Sequence, residues 1–315
     1  MDTDTSKQNN ILIDDDEDEL DLIKLVATNA NDSNQYLIFE GSNNELYAKN
    51  VSKIEELVVF KDLVITKNSD EDNLIIGTAD IRGQMTTIVN FDAWMGNEVL
   101  DDKEYELLVI ANYGNQRFAI IVKSVEQISA IEPAKMSDNS CDNHKATFIT
   151  KISIGGKERL CTIFDGDKML LDIYDDIEED AHIEINDIKK CDSDKIVLFA
   201  DDSKFVRKMV GSLLEKMNLK YKLYHDGQYL IEDIGNFNSQ DIGLVITDLE
   251  MPKMGGREVI EHVREEKSYD GINIIVHTNM SNNITSNELL NLGASNIIGK
   301  INMEELSGSI NKFIR

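Results

Sequence analysis

An acidic stretch at residues 176–193 divides the 315-residue chain into two halves with different hydrophobic patterns. Before this stretch, short runs of β-forming residues are separated by turn-forming residues, a pattern typical of a β-barrel or sandwich. These strands are predicted at 36–39, 74–81, 86–91, 106–111, 117–123, 147–154 and 159–164. After the stretch, strand and helix patterns alternate, as a parallel α/β sheet requires. Each half is long enough to bury its own core.

The second half contains five strand-like runs, at 196–200, 220–224, 243–247, 272–277 and 296–298. The first helical pattern, which follows the first of these runs, is the clearest, because the apolar residues of 205–217 recur at 3.6-residue spacing and fall on one face. Asp202 or Ser203 is its expected N-cap. Further helical patterns occupy 227–237, 256–266, 286–292 and 304–314. The prediction is a doubly wound (βα)5 domain.

Composition excludes several classes of protein. There are 59 acidic and 32 basic side chains, a formal charge of −27, and such a surface repels phosphate backbones, so nucleic acid is not an expected partner. The cysteines, Cys141, Cys161 and Cys191, have no metal-binding spacing and are odd in number, which favours a reducing compartment. No apolar run approaches the ~20 residues that span a bilayer. We therefore expect a cytoplasmic protein without membrane insertion.

Polar residues follow four of the predicted parallel strands: Asp201 and Asp202, Asp248, Thr278 and Lys300. In such sheets, ligands bind beyond the carboxyl ends of the strands. Three converging carboxylates need a cation, and oxygen ligands suit Mg²⁺. Lys300 and Thr278 could meet a phosphoryl group, and a carboxylate could accept it as an acyl phosphate. Helix capping alone could also account for Asp201 or Asp202.

This constellation, with the D-x-x-M-P-x-M-G-G run at 248–256, resembles the receiver domain of two-component response regulators, of which CheY is the single-domain type. The resemblance covers residues 194–315 and implies a flavodoxin-like fold. It implies that Asp248 is the phosphoacceptor. It further implies that Asp202, Asp248 and the backbone carbonyl of Glu250 bind Mg²⁺, with Asp201 acting through water. Thr278 and Lys300 would sense the phosphoryl group.

Two positions depart from the receiver pattern. Ile301 replaces the proline that usually follows the lysine. Ile297 replaces the aromatic residue three positions before Lys300, so a Tyr or Phe rotamer switch cannot operate there.

The first half carries a second resemblance. Gln35-Tyr36-Leu37-Ile38-Phe39, the G-T-A-D-I-R-G-Q-M-T-T-I-V-N-F run at 77–91 and residues 117–125 are similar to the CheW coupling domain. The resemblance implies a pair of small β-barrels that bridges a chemoreceptor and the kinase CheA. Arg82 and Gly83 lie at a predicted tight hairpin, where Arg82 could pair locally or project toward a partner.

A CheW-like domain followed by a receiver resembles the CheV-type arrangement. The predicted boundaries are an acidic extension at 1–34, a coupling domain at 35–175, a linker at 176–193 and a receiver at 194–315. The implied function is a chemotaxis adaptor, not an enzyme, that couples methyl-accepting chemoreceptors to a CheA-type histidine kinase at membrane-associated arrays and responds to phosphorylation. Two alternatives stay open: a phosphate sink competing with CheY, and a Mg²⁺-dependent aspartyl-phosphate phosphatase.

Overall fold

A computed structural model describes residues 35–67, 73–113, 116–138, 145–174, 190–279, 283–300 and 302–314. The chain divides into two compact units. The first unit contains residues up to 112 and residues 116–164, and the second contains residues 165–315 with the short segment 113–115. The predicted N-terminal extension, residues 176–189 of the predicted linker, Cys141 and Ile301 lie outside the described residues.

The first unit is built from twelve described strands in two six-stranded sheets. The strands are β1 (Gln35–Glu40), β2 (Leu46–Asn50), β3 (Ile54–Val59), β4 (Ile65–Lys67), β5 (Ile75–Ile81), β6 (Gln84–Asn90), β7 (Leu107–Tyr113), β8 (Gln116–Val122), β9 (Ser124–Ala130), β10 (Ser137–Asp138), β11 (Ala146–Ile154) and β12 (Lys157–Phe164). One sheet has the order β10-β11-β12-β2-β1-β9 and the other β3-β7-β8-β6-β5-β4. The predicted all-β half is confirmed.

Sequence patterns missed β2, β3, β4, β9 and β10 as strands. β4 and β10 have only three and two residues, too few to show an alternating pattern. β3 and β9 are long enough, but polar residues interrupt them. Their strand conformation comes from pairing with distant segments, β3 with β7 and β9 with β1, which local propensity does not reveal.

The end of β6 was predicted as strand through residue 91, but the chain turns into helix α1 (Phe91–Met95) there. The side chain of Asn90 accepts a hydrogen bond from the backbone N of Ala93 at 3.0 Å and so caps this helix. Phe91 is fully buried, and its ring centroid lies 4.8 Å from those of Phe39 and Tyr47. Burial of this ring fixes where the strand gives way to the helix.

The second unit has a five-stranded parallel sheet with the order β14-β13-β15-β16-β17. Its strands are β13 (Ile196–Ala200), β14 (Lys220–Tyr224), β15 (Ile242–Thr247), β16 (Asn273–His277) and β17 (Asn296–Ile298). Its helices are α2 (Gly166–Ile173), α3 (Lys204–Lys216), α4 (Gly227–Ile234), α5 (Gly256–Glu265), α6 (Asn283–Leu292) and α7 (Met303–Phe313). The predicted doubly wound fold is confirmed.

Apolar clusters cover both faces of this sheet, as the near-continuous hydrophobic strands require. The Ser203 side chain accepts a hydrogen bond from the backbone N of Val206, so Ser203, not Asp202, caps α3. Ile297 packs at the margin of one cluster. Among the described residues, no helix combines the length and apolar character needed to cross a membrane.

Candidate functional site

The parallel sheet of the second unit brings the predicted site residues to one edge. Asp201 follows β13, Asp248 follows β15, Thr278 follows β16 and Lys300 lies just beyond β17. These four strands are consecutive neighbours in the sheet, so their carboxyl ends lie side by side. The backbone N of Asp248 donates a hydrogen bond to the carbonyl oxygen of Ala200 at 2.8 Å, so the carboxyl ends of β15 and β13 lie next to each other.

Lys300 follows the outermost of these strands, and its side chain reaches the aspartates with only 1% of its surface exposed. Its Nζ atom is 2.9 Å from Oδ2 of Asp248 and 3.1 Å from Oδ2 of Asp201. A third carboxylate, that of Asp167, lies 3.1 Å from the same nitrogen. Burial opposes the charge on Lys300, but the three aspartates outweigh it and raise the pKa of Lys300 well above its usual value. Lys300 is therefore a charged ammonium group in this site.

Asp201 is fully buried, and burial together with the neighbouring carboxylates of Asp248 and Asp202 raises its pKa well above the usual value, against the opposing effect of Lys300. Its Oδ1 accepts a hydrogen bond from the backbone N of Ser203 at 2.8 Å. One ammonium group therefore does not compensate the acidic groups at this edge.

Carboxylate oxygens of Asp167, Asp201 and Asp202 lie within 4.8 Å of one another. Closely spaced carboxylates are the donor set that a hard divalent cation requires. Two of the predicted Mg²⁺ ligands, Asp201 and Asp202, belong to this group, and its chemistry fits such a cation. The group includes Asp167, which the sequence did not suggest.

The loop after β15 holds Asp248 in place. The backbone N of Leu249 donates to Oδ1 of Asp248 at 2.7 Å. A Cβ atom at Gly256 would lie 2.4 Å from the carbonyl oxygen of Asp248, and one at Gly255 would lie 2.6 Å from that of Leu249. Only glycine permits such close backbone approach, which explains the Gly-Gly pair of the motif.

Asp226 supports the same loop and was missed by sequence reasoning. It is fully buried at the N-cap of α4, where Oδ1 accepts from the backbone N of Gln228 at 2.9 Å. It also accepts from the backbone N atoms of Lys253 and Met254, at 2.7 and 3.0 Å. An Asp-Gly pair before a helical pattern signals a cap, but only the fold shows that this cap also fixes a distant loop.

Helix α2 supplies the other residues that sequence reasoning missed. Asp165 caps the helix and accepts a hydrogen bond from the hydroxyl of Ser203 at 2.8 Å. Burial, with a contribution from Asp167, raises the pKa of Asp165 to about 6. Asp167 accepts a hydrogen bond from the amide of Asn279 at 2.8 Å in addition to its ion pair with Lys300. Asp165 and Asp167 lie before the predicted linker in the sequence. No local pattern therefore indicates that they lie close to Ser203 and Lys300.

Arg82 and Gly83 form the two-residue loop between β5 and β6, with φ values of 54° and 81°. Two positive φ values are the requirement of a type I′ turn, so the predicted tight hairpin is present. The guanidinium of Arg82 lies 2.8 Å from a carboxylate oxygen of Glu56, yet 76% of the Arg82 side chain is exposed. The residue thus pairs locally and still presents most of its surface to solvent.

Residues 35–173 match the CheW-like domain, and residues 197–311 match the response regulator receiver domain. The two matches follow one another along the chain, and the first of them includes helix α2 of the second unit.

The chain is 27% identical over 312 residues to chemotaxis protein CheV1 of Helicobacter pylori, covering 92% of this chain and 96% of that protein. It is 23% identical over 308 residues to CheV2 of the same organism, covering 93% and 98%. It is 26% identical over 286 residues to CheV3, covering 85% and 88%. The order of the two domains and the near full-length similarity to three such proteins agree: the chain belongs to the CheV-type chemotaxis coupling proteins, adaptors in which a CheW-like domain precedes a receiver.

Proposed function

We propose that this adaptor couples methyl-accepting chemoreceptors to a CheA-type histidine kinase and that phosphorylation of Asp248 modulates the coupling. The observation that carries the proposal is the ion pair between Lys300 and Asp248 at the sheet edge, beside Asp201 and Thr278. A buried carboxylate beside a fixed ammonium group is suited to accept a phosphoryl group, because the ammonium can stabilise the charge that the transfer brings.

In the proposed transfer, an oxygen of Asp248 attacks the phosphorus of a phosphohistidine. The P–O bond forms as the P–N bond breaks, and the released imidazole takes up a proton. Lys300 holds the oxygens of the arriving group, and the Thr278 hydroxyl donates to another. Asp202, Asp248 and the carbonyl of Glu250 would hold Mg²⁺, with Asp201 acting through water. When bound, Mg²⁺ would neutralise negative charge on the phosphoryl group. Hydrolysis of the acyl phosphate then resets the receiver.

Arg82 is proposed as a partner-binding residue of the CheW-like domain, with Gly83 permitting the turn that exposes it. The support is the combination of a fixed backbone and a largely exposed guanidinium. We place the protein in the cytoplasm, at receptor arrays beside the membrane.

The test is transfer of labelled phosphate from autophosphorylated kinase to the full chain, with Mg²⁺ and with EDTA. Asp248→Asn should abolish labelling. Asp241→Asn is the matched control, because Asp241 precedes the other end of the same strand and is exposed; it should label normally. Labelling that persists in Asp248→Asn would contradict the assignment of the phosphoacceptor.

Receptor capture in the same samples tests coupling. Asp248→Asn should still bind receptor but lose the effect of phosphodonor, and Arg82→Ala should weaken capture. Lys135→Ala is its control, since Lys135 is also largely exposed and also pairs with a glutamate. Capture that is insensitive to Arg82 would overturn the proposed contact. A chain that rapidly accepts and hydrolyses phosphoryl groups from the kinase without altering receptor–kinase coupling would instead be a phosphate sink. Turnover of a small phosphoester would identify a phosphatase.

A further inference from the structure

His277, the last residue of β16, is a buried histidine that the proposed transfer does not use. Its side chain is fully buried. Among the residues that the structure describes, neither Nδ1 nor Nε2 of His277 has a hydrogen-bond partner. Buried polar groups in folded proteins are nearly always hydrogen-bonded, so an exception needs a reason. The position of His277 in the sheet indicates one.

The strand register places His277 beside the proposed phosphoacceptor. Thr247 of β15 pairs with Val276 of β16 in the parallel ladder. The residues that follow them, Asp248 and His277, are therefore the next pair across these two strands. Neighbouring strands lie about 4.8 Å apart, so these two side chains start from adjacent positions.

The two side chains also lie on the same face of the sheet, because side chains alternate along a strand. Ile246 and Ile275, two residues before Asp248 and His277, belong to one buried cluster. The imidazole centroid of His277 is 6.1 Å from the ring centroid of Phe199 on β13. Since β15 lies between β13 and β16, and two strand spacings are roughly 9.5 Å, the two rings meet above β15. The imidazole therefore leans across the strand that carries Asp248.

The imidazole of His277 is neutral. Burial lowers the pKa of His277 to about 3, and the ammonium of Lys300 adds to this effect, against the opposing carboxylates of Asp248 and Asp167. A neutral imidazole has one N–H donor and one nitrogen that accepts. Because Lys300 both acts on His277 and bonds Asp248, the imidazole lies within electrostatic reach of the place where a phosphoryl group would bind.

Phosphorylation would change the number of acceptors at this point. In the unmodified protein, Oδ1 of Asp248 accepts from the backbone N of Leu249 at 2.7 Å, and Oδ2 accepts from Nζ of Lys300 at 2.9 Å. A phosphoryl group brings three strong acceptor oxygens. The N–H of His277 is a donor on the neighbouring strand that has no acceptor among the described residues.

We propose that His277 is a further phosphoryl-binding residue: its ring N–H donates to an oxygen of the phosphoryl group on Asp248, a hydrogen bond that the unmodified protein lacks. This inference rests on phosphorylation of Asp248 as proposed above. A hydrogen bond to a charged group changes an equilibrium constant by about ten-fold or more. His277 therefore stabilises the phosphorylated form relative to the unmodified one.

The test measures binding of beryllofluoride with Mg²⁺ to the full chain by calorimetry, since this stable analogue of a phosphoryl group needs no phosphodonor. The unaltered chain should bind it, and Asp248→Asn should not. His277→Leu removes both ring nitrogens at similar volume and should weaken binding at least about ten-fold. His262→Leu is the matched control, because His262 is exposed on α5; its binding should not change.

Rescue identifies the donating atom. His277→Asn places an amide N–H near the position of Nδ1, and His277→Gln places one near that of Nε2. One of these two variants should recover most of the binding that His277→Leu loses. Recovery by neither would contradict a hydrogen bond from this position.

Stability separates phosphoryl binding from a structural role. In the unmodified protein, His277→Leu replaces a buried polar group that has no partner among the described residues. Its midpoint of urea unfolding should therefore equal or exceed that of the unaltered chain. A lower midpoint together with unchanged beryllofluoride binding would show a structural residue and overturn the proposal.

NMR of the full chain with ¹⁵N-labelled histidine observes the hydrogen bond itself. The chain has five histidines, and the signal that His277→Leu lacks belongs to His277. Its ring N–H proton should shift downfield when beryllofluoride and Mg²⁺ are added, as expected for a new hydrogen bond.

The outcomes distinguish the two proposals. An unaltered chain that binds no beryllofluoride would overturn the proposed function and the role of His277 with it. Binding that is equally tight in the unaltered chain and in His277→Leu would overturn the role of His277 alone. A His277 N–H signal that stays in place when the analogue binds would do the same.

Discussion

Replacement of Gly256 by alanine should disturb the phosphorylation site through backbone contact alone. Gly256 is the first residue of α5, and a Cβ atom there would lie 2.4 Å from the carbonyl oxygen of Asp248 and 3.1 Å from Cα of Leu249. Observed Cβ atoms essentially never come closer than 3.0 Å to another heavy atom, so the helix or the loop must move by at least 0.6 Å, the difference between 3.0 and 2.4 Å. Both obstructing atoms belong to the backbone and cannot rotate away.

The expected loss of stability follows from the packing of α5. Val259, Ile260 and Val263 of α5 are fully buried, so a shift of the helix disturbs a close-packed core. Overpacking of this kind costs about 1–3 kcal/mol, and the better helix propensity of alanine returns up to about 1 kcal/mol. We expect Gly256→Ala to lower the free energy of unfolding by about 1–2 kcal/mol.

Gly308→Ala is the matched control, because Gly308 lies within α7 and a Cβ atom there meets no heavy atom within 4 Å. It should raise the free energy of unfolding by up to about 1 kcal/mol. Urea unfolding followed by circular dichroism at 222 nm measures both variants, because the described helices of eight or more residues all lie in the second unit.

The same substitution should slow phosphorylation of Asp248, because misplacement of a reacting group by about 1 Å can cost up to 100-fold in rate. We expect a loss of at least about ten-fold in Gly256→Ala and none in Gly308→Ala. Equal stability of Gly256→Ala and the unaltered chain would refute the steric argument. A normal phosphorylation rate in a destabilised Gly256→Ala would show that the clash does not reach Asp248.

Two further predictions concern other parts of the molecule. Phe91→Ala should lower the free energy of unfolding by about 3–5 kcal/mol, because Phe91 is fully buried against Phe39 and Tyr47. The fluorescence of Trp94, the single tryptophan, reports this unfolding, since its ring lies 6.1 Å from that of Phe91. An unchanged unfolding midpoint would contradict this packing. Asp233 accepts hydrogen bonds from Lys222, Tyr224 and Asn236, which lower its pKa from 3.8 to about 2. Because the unfolded state binds the proton more readily, this stabilisation is present above about pH 4 and is lost as the pH falls toward 2. In an acid titration, Asp233→Asn should therefore lose stability less steeply over that interval than the unaltered chain. An equal slope in the two proteins would contradict the effect.

Sequence patterns were most informative where local signals and the fold agree. The parallel sheet was predictable because each buried strand is a continuous apolar run followed by an amphipathic helix. The tight hairpin was predictable because Arg82-Gly83 separates two β-forming runs, whereas its turn type follows from the φ values. Strands β3 and β9 were missed, since their pairing partners are distant in sequence and their own residues alternate poorly.

At the site, the sequence could nominate Asp201, Asp202, Asp248, Thr278 and Lys300 because the order of strands in a doubly wound sheet determines which loops meet. It could not nominate Asp226, whose two oxygens hold a loop 27 and 28 residues away. The choice between Asp202 and Ser203 as cap of α3 was also decided only in three dimensions, where the hydroxyl of Ser203 faces the backbone N of Val206.

The sequence by itself determined two folded units, the class of each, and the acidic, lysine-containing edge of the second, because hydrophobic period and strand-end residues are local properties. Only the tertiary structure decided that Asp167, 133 residues before Lys300, joins that edge. No local pattern encodes such a contact, since it depends on how α2 packs after the chain has folded. The number of carboxylates that share one ammonium group is therefore a property of the fold.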